Sequence, residues 1–353
     1  MLEKRRLHGY VSLPSTYLLI IALIFMGCLS FWILTGRPDD VYVDGKTTSP
    51  GYILLVADNI TGVNSPYSLN ELPSNDETTL INMKNFKFTI NHERCNKTQP
   101  LLLILIHSAP SNIAKRNVIR ETWGKETPEI IVLFFIGSTK SYKKRIINED
   151  NKFHDIIQGN FIDVYRNMTY KHVMALKWAT YYCPSAKYIL KLDDDVFVHI
   201  PAMIDYLKHD LSAWGARRLI LCDLISAVEV KRSWRSKWRV SPLEYPDRHY
   251  PIYCAGWAIL YSPDSVFLLY RGAQKEPYFW IDDVHITGTV AEKVNITRST
   301  WHSLVLKNNE MEKLLNNPND HREFLLGPPN LGRDKIEALH RLSISNNNLK
   351  SYS

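Results

Sequence analysis

The sequence predicts an α/β domain with a mostly parallel β-sheet flanked by helices, preceded by a single N-terminal membrane helix. Two continuous apolar runs, Leu101 to Ile106 and Ile130 to Ile136, have the pattern of strands buried on both faces. A segment with helical spacing of apolar residues, Lys171 to Tyr182, leads into a third apolar run at Tyr188-Ile-Leu190. Strand, helix, strand, helix, strand is the order that a parallel sheet with crossover helices requires. The third observation is at the other end of the chain, where Tyr17 to Leu34 is eighteen residues without a charge.

Eighteen helical residues span roughly 27 Å, enough to cross a bilayer core. Lys4, Arg5 and Arg6 precede the stretch, and Arg37, Asp39 and Asp40 follow it. The positive-inside rule then leaves residues 1–16 in the cytosol, residues 17–34 as a signal anchor and the rest in a lumen. Bulky Phe31, Trp32, Ile33 and Leu34 make a poor signal-peptidase site, so the reading is an uncleaved type II anchor.

A secretory lumen fits other features. Sequons stand at Asn59, Asn96, Asn167 and Asn295, all beyond the anchor. Cys28 falls within the span, which leaves Cys95, Cys183, Cys222 and Cys254 to form two disulfides in any of three connectivities. Their spacing lacks the paired short gaps of a structural zinc site. The net charge is +7, but the basic residues are scattered and carry no nucleic-acid-binding signature, so the excess fits an anionic phosphate substrate and not nucleic acid.

Residues 35–98 are rich in Pro, Ser, Asn and Thr and read as a luminal stem; 99–309 hold one sizeable domain, and 310–353 form a C-terminal extension. Within the domain, Ser111 is placed to cap a helix running through Trp123. The most informative stretch is Lys191-Leu-Asp193-Asp194-Asp195-Val-Phe-Val198, three carboxylates between a strand leaving the core and an apolar run re-entering it. Uncompensated like charges at the edge of a core repel one another and lose hydration. A divalent cation removes that cost, and hard oxygen ligands suit Mg²⁺ or Mn²⁺ with positions left for phosphate oxygens. In parallel sheets ligands bind at the carboxyl ends of strands, where the triplet falls.

Seven motifs now line up in order between residues 100 and 300. They are Arg116-Asn-Val-Ile-Arg120-Glu-Thr122-Trp123, Phe135-Ile-Gly137, Glu149 with Asp155, and Asp163-Val-Tyr165-Arg-Asn167-Met-Thr169-Tyr-Lys171. Leu192 to Phe197, Tyr245 to Gly256 and Asp282-Asp283-Val284 complete the series. Together they resemble the β-1,3-galactosyltransferase family, glycosyltransferase family 31, whose members are type II Golgi proteins with a GT-A fold. The resemblance implies a luminal Golgi enzyme that moves a sugar, galactose first, from a UDP-sugar to an acceptor glycan on protein or lipid with inversion. N-acetylglucosamine is the second donor in view. A membrane-tethered binding or chaperone scaffold without turnover is the alternative of another class.

The resemblance also implies roles. Mn²⁺ would be held by Asp195 and Asp193, with Asp194 facing metal, ribose or phosphate, and His302 in Thr-Trp-His-Ser resembles a metal-holding histidine of fringe-type relatives. Asp283 would take the acceptor proton, with Asp282 second and Glu244 or Glu292 behind them. Arg116 and Arg120, one helical turn apart after the first strand, are placed to meet uridine or diphosphate. Trp238 offers a face to stack on a sugar, and Trp257 lies in the stretch expected to border the acceptor. The chain departs from the family pattern in two places near that acceptor. Asp283-Val-His285-Ile-Thr287-Gly288 has one residue more before its glycine, and Trp257 replaces a small residue after Gly256.

Overall fold

The computed structural model describes residues 52–55, 66–95, 99–317 and 322–350. The expected anchor at 17–34 lies outside them, as do Asn59 and Asn96. Among the described residues no helix is long and apolar enough to cross a membrane.

The apolar runs form the middle of an eight-stranded mixed sheet. Its strands are β1 (Phe88–Ile90), β2 (Leu102–His107), β3 (Ile130–Ser138), β4 (Ile156–Ile162), β5 (Tyr188–Asp193), β6 (Ile220–Ile225), β7 (Tyr253–Tyr261) and β8 (Ser299–Thr300). They lie in the order β8-β6-β7-β5-β2-β3-β4-β1. The four central strands β5, β2, β3 and β4 are parallel to one another. β7 runs antiparallel to both β5 and β6, and β1 caps the far edge antiparallel to β4. The mostly parallel expectation therefore holds for the centre of the sheet and gives way to a mixed sheet outside it.

Successive residues of β2 feed two cores. Leu102, Ile104 and Ile106 pack on one face with Val132, Phe134, Leu190 and Leu192, while Leu103 and Leu105 pack on the other. On the second face lies α3 (Met168–Tyr182), following α1 (Ile113–Glu121) and α2 (Lys143–Phe153). The amphipathic pattern expected for α3 is exceeded: Thr169 and every residue from Lys171 to Thr180 is buried. Its interior charge Lys177 is satisfied by the Asp76 carboxylate at 3.4 Å and the Tyr270 hydroxyl at 3.0 Å.

Three expectations are corrected. Residues 66–95 are not stem, since Asp76 is buried against α3, Tyr67 stacks on Phe267 at 4.5 Å and Phe88–Ile90 is a strand of the sheet. Val196 to Val198 do not form a re-entering strand. They are buried under the chain's last part and held to it by an isolated bridge between Val198 and Leu326, with His199 N–H donating to the Leu325 carbonyl and Gly327 N–H to that of Phe197, each at 2.9 Å. That last part is no appendage either, because Leu325, Leu326, Leu331, Ile336 and Leu339 belong to the first core.

Of the three disulfide connectivities, the structure contains Cys95–Cys183 and Cys222–Cys254. The first closes 88 residues and fixes the segment before β2 to the end of α3; the second closes 32 and staples β6 to β7. Chain-entropy arguments give the longer loop the greater effect. Cys95→Ala with Cys183→Ala should cost about 3–5 kcal/mol in denaturant unfolding, against a smaller loss for the Cys222/Cys254 pair. Equal losses, or none, would contradict that ordering.

Candidate active site

The carboxyl ends of β2 and β5 lie side by side, with His107 in register with Asp193. The loop after β2 and the start of α1 supply partners to the triplet. Asp194 accepts from the Ser108 hydroxyl at 2.7 Å and the Asn112 amide at 2.8 Å. Asn112, not Ser111, precedes α1, and its side chain is committed to Asp194 and leaves the helix end uncapped. Lys115 Nζ lies 3.2 Å from Asp194 and 2.8 Å from Asp195. Asp193 points elsewhere, accepts from Lys191 Nζ at 3.0 Å and is the most open of the three, its side chain 38% exposed against 7% for Asp194. Desolvation pushes the Asp193 carboxyl up while Lys191 pulls it down, and the net direction is up. The backbone of Asn330 and Leu331 closes over Asp195, Leu331 N–H donating to its carbonyl at 2.9 Å.

These residues fit a divalent cation. Every donor is a hard carboxylate oxygen, and an ammonium already sits where Asp194 and Asp195 demand positive charge. Among the described residues the cluster whose ligand atoms all stand within 4.8 Å of one another is a different one, His92, Asp150 and His154, built on other elements.

Behind the triplet lies a cation that sequence reasoning missed. Lys191, alternating within an apolar strand, is fully buried, and its ammonium donates to the Gly256 carbonyl as well as to Asp193. Desolvation lowers its pKa, but Asp193, Asp282 and Asp283 together outweigh that loss and hold it charged. Asp282 accepts from or shares a proton with His172 Nδ1 at 2.9 Å, and His172 Nε2 lies 3.2 Å from the Tyr261 hydroxyl. Burial alone would raise the Asp282 carboxyl, yet His172 and Lys191 bring it below its ordinary value. Asp283 has no such partner. Burial and then the neighbouring Asp282 charge push it up to about 7, against the Val284 N–H at 2.8 Å and the Lys191 ammonium. Two adjacent carboxyls are thereby driven in opposite directions. His107, also missed, has both ring nitrogens buried without a partner, its ring edge-on to His172 at 5.3 Å. Burial, then Lys191, keeps it neutral. The signal for both lay in a charged or polar residue interrupting an otherwise apolar strand.

The helix after Asp283 is π-type, Val284–Val290, running on as Ala291–Lys293. A π turn holds more residues than an α turn, so the extra residue noted before Gly288 is taken up there. Gly256 lies under Asp283: a Cβ on it would stand 3.2 Å from Asp283 Cβ and 3.4 Å from Oδ2.

Other expected site residues lie elsewhere or do other work. Arg116 is fully buried and bidentate to Glu149, at 2.7 Å from each oxygen, and also donates to Ser108 Oγ at 2.8 Å. Arg120 is bidentate to Asp155 at 2.7 and 2.8 Å and stacks on Phe153. Of the two expected to meet the donor, Arg116 is enclosed by Glu149 and holds Ser108 against Asp194, while Arg120 keeps an exposed edge and lines a cavity with Asn117, Glu149 and Lys152. Trp238 is exposed and donates its Nε1–H to the Tyr165 hydroxyl at 2.9 Å. Trp257 is half-buried and packs on the first core, which leaves less of it for a ligand than expected. His302 starts a short 3₁₀ turn, but its side chain lies outside the described residues. Asn295 is exposed in a left-handed turn, while Asn167 is half-buried and donates to the Ile162 carbonyl at 2.8 Å.

Removing one partner of a buried pair leaves an uncompensated charge at about 3–5 kcal/mol. Arg116→Met should therefore lower the unfolding midpoint strongly, and Arg116→Met with Glu149→Gln should recover part of the loss. UDP affinity of the folded fraction should change little. A large loss of UDP binding with unchanged stability would restore the donor role.

A family model described as Galactosyltransferase matches residues 114–302. The lactosylceramide 1,3-N-acetyl-β-D-glucosaminyltransferase of Mus musculus is 36% identical over 225 residues, 60% of this chain and 59% of that protein, so the match spans well under two thirds of its length. The β-1,3-galactosyltransferase 5 of Homo sapiens is 32% identical over 247 residues, 68% of this chain and 77% of its own. A solved glycosyltransferase involved in glycosylation of the major capsid of PBCV-1 aligns over 69% of this chain and 100% of its own at 12% identity, with a TM-score of 0.35 that carries no argument. With a family match over more than half of its length and a relative matched over two thirds of both chains, this chain belongs to the galactosyltransferase family, glycosyltransferase family 31.

Proposed function

We propose that this chain is an inverting UDP-sugar transferase forming a β-1,3 linkage on an acceptor glycan of protein or lipid. The observation that carries the proposal is Asp283, a carboxyl raised to about 7 beside a second carboxyl held low. A base works best when its pKa lies near the working pH. As the acceptor oxygen bonds to the anomeric carbon, the bond from that carbon to the diphosphate oxygen breaks and the hydroxyl proton passes to Asp283. Asp282 stays ionised on His172, keeps its neighbour basic and orients the turn. Asp195 and Asp193 would hold the divalent cation, Mn²⁺ in this proposal, which when bound neutralises the leaving diphosphate. Asp194 is tied to the β2 loop by Ser108 and Asn112 and supports the cation site from behind.

Galactose is proposed as the donor sugar on the strength of the β-1,3-galactosyltransferase relatives, and N-acetylglucosamine, named for the mouse relative, is the second reading. The proposed setting is the Golgi membrane: a type II anchor at 17–34, a stem confined to residues before about 66, and the domain in the lumen. A non-catalytic scaffold of the same fold has no use for a carboxyl poised near neutrality, which favours the enzyme.

Three outcomes test this. With a panel of UDP-sugars, turnover by the chain from Lys46 onward should require Mn²⁺, stop in EDTA and be lost in Asp195→Ala together with metal-dependent UDP binding; full activity in chelator removes the metal. Asp283→Asn should reduce transfer by roughly 10²-fold or more while leaving UDP binding nearly intact. Asp282→Asn reversing that order would move the base by one residue. Because Asp283 must be ionised to accept the proton, kcat/KM should fall as pH drops through about 7 and level off above it. A profile flat down to pH 5 would place the base elsewhere.

A further inference from the structure

Between β6 and β7 the chain makes a long loop whose two faces differ sharply. Its underside is tied down next to the base. Val230 and Val240 are buried with Tyr250, Phe279, Trp280 and Val284, the residue that follows Asp283. Arg232 pins the loop from within by donating to the carbonyls of Val240, Tyr245 and Asp247 at 3.0, 2.7 and 2.8 Å. The outer face carries Lys231, Arg235, Lys237 and Arg239, all exposed, and no acidic residue occurs between 231 and 239. Among the described residues none of these four cations is in an ion pair. Two of them instead lie against exposed indoles, Arg235 over Trp234 at 5.1 Å and Lys237 over Trp238 at 4.3 Å.

A solvated basic loop needs no tryptophans, and Trp234 is 76% exposed where an indole usually finds cover. The loop also faces the reaction. Trp238 is held by the Tyr165 hydroxyl, and the Tyr165 ring lies 5.9 Å from that of Trp280, two residues before Asp282. Indole faces suit the flat side of a pyranose ring, and unpaired Lys and Arg suit a carboxylate or sulfate on it. We propose that this loop is an outer acceptor subsite and that the acceptor is an acidic glycan, with its carboxylate or sulfate on Arg235, Lys237 and Arg239 and a sugar ring stacked on Trp238. The inference rests on the transferase reading above and adds the acceptor's charge to it.

The test uses the full chain in detergent and pairs of oligosaccharide acceptors that differ only in one sulfate or uronic carboxylate away from the reacting hydroxyl. The acidic member should have a kcat/KM about 10-fold higher at low salt, the gap closing as NaCl is raised past the screening range. Arg235→Gln with Lys237→Gln and Arg239→Gln should bring the acidic-to-neutral ratio near one, and Trp238→Ala should raise KM for the acidic acceptor more than it lowers kcat. Arg232 is left intact because it holds the loop's shape. Equal use of both acceptors, or a ratio unmoved by the triple variant, overturns the proposal. So does a flat ratio with triple-variant-sensitive binding to phosphatidylserine vesicles, which would make the loop a membrane contact. Turnover with neither acceptor while Mn²⁺–UDP still binds would fault the transferase reading instead.

Discussion

One buried ammonium organises the site. Lys191 sits under the ends of the sheet with Asp193 on one side and Asp282 and Asp283 in its field on the other. Removing such a charge from water is costly, and only several carboxylates acting together offset it. The reverse holds as well: without the ammonium, those carboxylates would face each other across a desolvated gap. A single cation therefore joins the Asp193 side of the site to the Asp282–Asp283 pair. Its charge does not cancel all that burial and the carboxylates' mutual repulsion impose, and Asp193 and Asp283 remain raised.

A second layer of ion pairs supports the first from the opposite direction. Glu149 on α2 binds Arg116 on α1, Arg116 binds Ser108, and Ser108 binds Asp194. The triplet is thus held from both sides, with Asp194 tied to the β2 loop and Asp193 tied to β5. Asp195 is covered by the backbone of Asn330 and Leu331, so the end of the chain forms one wall of the same site.

Much of this was legible in the sequence. Long uninterrupted apolar runs announce buried strands because nothing else accommodates them, and three adjacent aspartates at the end of one announce an unmet need for positive charge. Partners were less legible than positions. Helical spacing placed Arg116 and Arg120 one turn apart, yet it says nothing of Glu149, 33 residues further on, whose carboxylate claims the first of them. The same limit hid Lys191, since the carboxylates that justify its burial come from β5 itself and from the turn ninety residues later. The composition of residues 66–95 and of 322–342 looked polar and loose. Their few apolar side chains nevertheless fill places in the core, a matter of shape that composition does not register.

The π-helical turn after Asp283 has a consequence for how such a site can vary. Adding one residue to an α-helix rotates everything after it by about 100°. Here the wider turn takes up the added residue, and Gly288 still meets Pro251 and Tyr253, where a Cβ would come within 2.9 Å of the proline ring. The π turn is bounded by Asp283 on one side and contains a close-packed glycine near the other. In this chain the length of the turn is thereby uncoupled from the position of Asp283, and the surface beyond it can be reshaped without disturbing that carboxyl.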